Sequence, residues 1–121
     1  MTERNVVAVV PDLFFATRIA STAAQLGVTL EAPTRAEALA TIRRQPPDLI
    51  ILDLQAPGDP MSLARALKAD PVTRNVTIVG FYPHVEGALR EAALAAGVDL
   101  VLPRSAFTVR LPALLAGESG R

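Results

Sequence analysis

The four residues Leu49-Ile50-Ile51-Leu52 form an unbroken apolar run, closed by Asp53 and followed by the turn dipeptide Pro57-Gly58. A short continuous apolar stretch ended by turn residues predicts a strand buried on both faces, as in a parallel sheet covered by helices. Asp53 then stands at the carboxyl end of that strand, where open α/β sheets place their ligands. From its position alone, a single acid there has three readings: phosphate acceptor, metal ligand, or cap of the following turn.

Strand-like and helix-like patterns alternate along the rest of the chain. Val6 to Val10 reads as an apolar strand. Leu13 to Leu26 carries Phe15, Ile19, Ala23 and Leu26 on a helical stripe, with Gly27 placed to end it. Val28 to Ala32 is a second strand, and Thr34 with Glu37 makes a capping-box pair opening a helix that Gln45-Pro46-Pro47 closes. Asp48 to Asp53 is the third strand, and Met61 to Lys68 a helix stopped before Pro71. Val76 to Phe81 is the fourth strand; Val85, Leu89, Ala92 and Ala96 share a face of the next helix, ended by Gly97. Leu100 to Pro103 gives a fifth strand, and a last helix ends near Ala116-Gly117, its regular part expected to begin near Pro112. About five βα units with short links imply one α/β domain, residues 1–117, with a doubly wound parallel sheet and helices on both faces. The tail 118–121 is expected to be disordered.

Composition narrows the function classes. A chain of 121 residues is long enough for one sizeable core, and half its residues are hydrophobic, yet no apolar run reaches membrane-spanning length. Met1-Thr2-Glu3-Arg4 leads straight into a strand, so no secretory leader is expected and a cytoplasmic location is the expectation. Without cysteine the chain has no disulfide, thiol nucleophile or zinc–thiolate site. Twelve basic and twelve acidic residues balance, and the arginines are scattered rather than striped, which argues against direct nucleic-acid binding. His84 is the sole histidine, too few for a His-rich metal centre.

The segment Pro47-Asp48-Leu49-Ile50-Ile51-Leu52-Asp53-Leu54-Gln55-Ala56-Pro57-Gly58 resembles the phosphoacceptor strand and loop of the response-regulator receiver domain, the CheY-like family. The resemblance extends over nearly the whole chain. Ala8-Val9-Val10-Pro11-Asp12 is similar to the end of the receiver's first strand, Val76 to Tyr82 to its fourth, and Ala96-Gly97-Val98-Asp99 to the turn into its fifth. Leu102-Pro103-Arg104-Ser105 falls where the family has Lys-Pro, with Arg104 and Ser105 in those two places. The resemblance implies a flavodoxin-like sheet of order 2-1-3-4-5. It also implies transfer of a phosphoryl group from a histidine kinase or a small phosphodonor to the aspartate, by in-line positioning and charge neutralisation with magnesium.

Carried over residue by residue, the resemblance puts Asp53 at the phosphoacceptor position, Arg104 at that of the lysine and Tyr82 at that of the small Ser/Thr hydroxyl. Asp12, Asp53 and the Gln55 carbonyl fall at the magnesium ligands, Pro11 replaces one of the family's paired acids, and Val101 takes the place of a switching aromatic. Arginine keeps the charge but not the compact shape of an ammonium. Four departures around one aspartate point to a degenerate receiver that binds a kinase, a regulator or another receiver through its helical faces. The alternative is a working magnesium-dependent phosphoacceptor; a flavodoxin-like domain for another small ligand lacks a Gly-rich phosphate loop after the first strand. No appended effector is read in this sequence, so output is expected to come from a partner protein, with homodimerisation a further option.

The same residues also have plainer readings. Asp12 serves equally as N-cap of the first helix or as a metal ligand. Arg104 is expected beside Asp53, paired with its carboxylate. His84, after Pro83, is expected on the surface. Phe14 and Phe15 are adjacent, so one helix stripe buries only one of them and the other is exposed.

Overall fold

The computed structural model describes residues 4–83 and 87–117. Its elements, in chain order, are β1 Asn5–Val9, α1 Leu13–Leu26, β2 Thr29–Glu31, α2 Arg35–Arg44, β3 Leu49–Asp53, α3 Pro60–Ala69, β4 Thr77–Tyr82, α4 Gly87–Ala96, β5 Leu100–Pro103 and α5 Arg104–Ala116. The apolar run that predicted a strand covered on both sides is β3, and all five of its residues are buried. It lies at the centre of a parallel five-stranded sheet of order β2-β1-β3-β4-β5.

Side chains alternate across the strands, so each strand feeds two cores. Val6, Ala8, Leu49, Ile51, Val79 and Phe81 pack with Phe15, Ile19 and Ala23 of α1 and with Phe107, Leu111 and Leu115 of α5. Val7, Val9, Ile50, Leu52, Ile78 and Tyr82 pack with Ala38 and Ile42 of α2, Leu63 and Leu67 of α3, and Ala93 and Ala96 of α4. Burial on this scale, at about 25 cal/mol per Å² of apolar surface, is the main force holding the layers together.

Local chemistry sets the helix ends. The Asp12 carboxylate accepts from the Phe15 N–H at 3.1 Å and starts α1, and Gly27 closes it at a φ of 70°. The predicted capping box forms: Thr34 Oγ1 accepts from the Glu37 N–H at 3.2 Å, and the Glu37 carboxylate from the Thr34 N–H at 3.3 Å. Asp59, at a φ of 54°, accepts from the Ser62 N–H at 3.1 Å, with Pro60 opening α3.

Three sequence-based expectations are corrected. Leu26 does not join the buried stripe of α1 but is 43% exposed at the helix end. In α4 the buried positions are Ala93 and Ala96, with Leu89 packed against them, whereas Ala92 is exposed. Two adjacent alanines make the stripe ambiguous in sequence, and packing against α3 chooses between them. Helix α5 does not begin near Pro112 but runs from Arg104 with the proline inside it. Pro112 sits on the exposed side, so the Thr108 carbonyl that it deprives of a helical donor is not sealed in the core. Val85, His84 and the tail 118–121 lie outside the described residues.

Candidate functional site

Asp53 ends β3 with its side chain on the α1/α5 face, since it alternates with Leu49 and Ile51. Only 7% of the residue is exposed. Its Oδ1 accepts from the Gln55 N–H at 3.0 Å, and its backbone carbonyl accepts from the Ala56 N–H at 3.1 Å, which folds the loop back under the acid. Burial pushes the Asp53 carboxyl above its ordinary value of 3.8; the Gln55 N–H and the Arg104 charge oppose this, and the Asp12 charge adds to it. The charges of Arg104 and Asp12 thus both bear on Asp53.

The pairing expected between Arg104 and Asp53 does not form. The ion pairs among the described residues are Arg43–Asp70 at 2.6 Å and Lys68–Asp99 at 2.9 Å, and Arg104 belongs to neither. Its guanidinium carbon lies instead 4.7 Å from the centroid of the Phe15 ring, and its Nε is buried without an acceptor. A planar guanidinium stacks on an aromatic face where an ammonium would not lie flat, an attraction of roughly 1–2 kcal/mol at a partly desolvated site. Meanwhile one oxygen of Asp53 already holds the Gln55 N–H.

Tyr82 is in the other layer. It is 1% exposed and packs in the α2–α3–α4 core together with Leu54 and Val101, on the sheet face opposite Asp53. Pro11 is exposed and lines an apolar groove of about 370 Å³ at the carboxyl ends of β1 and β2, with Val10, Pro33 and Pro57. Gln55 is exposed. Asp12 keeps one carboxylate oxygen free of the helix cap, and Asp53 one free of the loop. A magnesium ion here would take those two oxygens and the Gln55 carbonyl and would rely on water for the rest of its near-octahedral shell. No group of three or more His, Cys, Asp or Glu side chains suited to a metal occurs among the described residues.

Two contributors were missed in the sequence. Phe15, Phe81 and Phe107 form a run of ring contacts across the α1/α5 face, at 5.4 Å between the first two and 4.5 Å between the last two. Their placement at inward positions of three separate elements was the available clue. Arg35 lies over the loop after Asp53, donating to the Asp59 carbonyl at 3.3 Å and packing so closely on Gly58 that a Cβ there would sit 2.7 Å from its Cγ. Phe14, in contrast, is 65% exposed while Phe15 is buried, as their adjacency required.

No protein-family model matches the sequence, and no curated protein matches it either. Solved structures do. The chemotaxis response regulator CheY4 of Vibrio cholerae superposes with a TM-score of 0.85 at 19% identity, over 98% of this chain and 100% of that one. A response regulator from Hahella chejuensis gives 0.85 at 21% identity, over 98% and 96%. The receiver domain of a sensor histidine kinase from Pseudomonas aeruginosa, with a magnesium ion coordinated in its active-site cleft, gives 0.80 at 23% identity, over 96% and 99%. With the sheet order 2-1-3-4-5 and the five covering helices, these likenesses establish that the chain has the fold of CheY-like response-regulator receiver domains.

Proposed function

We propose that this protein is a degenerate receiver domain of two-component signalling: a protein-interaction module in which aspartyl phosphorylation at Asp53 is impaired or lost. The observation that carries the reading is Tyr82: the sequence resemblance gives it the place of the receivers' small hydroxyl, and it is a large side chain buried in the layer away from Asp53. Pro11 removes one acid from the magnesium ligands, and Arg104 lies on a ring instead of on the acceptor. The retained Asp53, Asp12 and Gln55 support the alternative, a slow phosphoacceptor with a weak magnesium requirement. Partners of the chemistry implied by the fold are a histidine kinase, a regulator or a second receiver. No helix among the described residues is long and apolar enough to cross a membrane, which is compatible with the cytoplasmic setting of such partners.

The test is incubation of the purified protein with acetyl phosphate and magnesium, followed by intact-mass measurement. The expected outcome is a population that stays mostly unmodified, because charge neutralisation at the acceptor is incomplete. Rapid stoichiometric phosphorylation, absent in Asp53→Asn, would restore the working receiver and overturn the degenerate one.

A further inference from the structure

We propose that Phe15 is a positioning residue for Arg104: its ring holds the guanidinium away from the Asp53 carboxylate. The functional weight of this inference rests on Asp53 being the acceptor position; the geometry does not. Three observations carry it. The guanidinium carbon is 4.7 Å from the Phe15 centroid. Among the described residues Arg104 is in no ion pair, although its charge bears on Asp53. Its Nε is buried with no acceptor among the described residues, a donor that a swing to Asp53 would have the chance to satisfy.

The platform is fixed from behind. Phe15 is 5% exposed and contacts Phe81 at a tilt of 36°, and Phe81 stacks on Phe107 at an interplanar angle of 15°. Phe107 lies three residues beyond Arg104 on the same helix, so one end of α5 is anchored to the ring series that its first residue rests upon. Arg104 thus acts on Asp53 through space while contacting Phe15. For Arg104 to pair with a phosphoryl group formed on Asp53, its guanidinium would have to leave the ring. A lysine, with a point charge and no planar face, would not be held in this way.

Side-chain NMR of Arg104 tests the assignment in the intact protein. The expected result is an upfield ring-current shift of its δ-methylene and Nε–H protons that is lost in Phe15→Leu, kept in Phe15→Tyr and unchanged in Asp53→Asn. The proposal is overturned if Phe15→Leu leaves those resonances in place. It is equally overturned if Asp53→Asn moves them as the loss of an ion pair would. Should Phe15→Leu fail to fold, the Phe15→Tyr and Asp53→Asn spectra still decide, because they predict retention of the shift in both. Acetyl phosphate labelling of the wild-type protein is read separately: rapid labelling would remove the degenerate reading and leave the ring-held arginine standing.

Discussion

Asp53 is a buried carboxylate whose surroundings partly compensate it. Because burial raises its carboxyl above 3.8, the folded protein binds that proton more tightly than the unfolded chain does. The associated stability is fully present below 3.8 and is lost as pH rises through the folded-state value; above that, the ionised acid is a standing penalty. Asparagine keeps an oxygen for the Gln55 N–H without carrying charge. Asp53→Asn is therefore expected to raise the melting temperature at about pH 7 and to lose that advantage below 3.8. Thermal unfolding at the two pH values measures it, and a difference independent of pH would show that the gain is not electrostatic. The position of Asp53 was legible from its apolar run and the Pro-Gly turn, since both are local. The posture of Arg104 was not, because a long side chain chooses between an acid and a ring only when both are in place.

At the scale of elements, caps and turns were readable and faces less so. Thr34–Glu37, Gly27 and the fully buried β3 all follow from residues within a few positions of one another. The face of α4 depends instead on which of two neighbouring alanines meets α3, and the start of α5 depends on packing that outweighs one unfavourable residue. Phe107, Leu111, Leu114 and Leu115 bury the inner side of α5 on both sides of Pro112, so the helix continues through a proline that forfeits one hydrogen bond on its wet side. Thr108 Oγ1 bonds back to the Arg104 carbonyl at 3.0 Å, leaving its own carbonyl as the one without the i+4 donor. Pro112→Ala restores that donor. The expected result is a gain of about 1–2 kcal/mol, less than the full helix-interior penalty of proline because alanine also frees the unfolded chain. Chemical denaturation measures it; an unchanged midpoint would mean that the Thr108 carbonyl is already satisfied by water at no cost.

Across the whole molecule, the layering was legible because five βα units with short links leave little else to build, whereas the strand order came from resemblance and not from any pattern in the strands. The same scale decides whether the domain can switch. Receivers are implied to move a small hydroxyl inward while an aromatic on the fifth strand fills the space, so that two packings lie close in free energy. Here the aromatic bulk is on β4 as Tyr82, 1% exposed, and β5 contributes the smaller Val101 to the same core. Gly80 pairs with Val101, and Leu54 packs so tightly on Gly80 that an added Cβ would lie 2.8 Å from it. Seating a further ring in a core that already holds Tyr82 would overpack it, at a cost of about 1–3 kcal/mol. A ligand shifts an equilibrium only by its differential affinity for two states, so a phosphate mimic at Asp53 has little to select. Titration with beryllofluoride and magnesium, followed by backbone amide NMR, is expected to give changes confined to the loops around Asp12, Asp53 and Arg104, or none. Large concerted shifts through α4, β5 and α5 would show that a second packing lies within reach, and that Tyr82 leaves its core more cheaply than its burial implies.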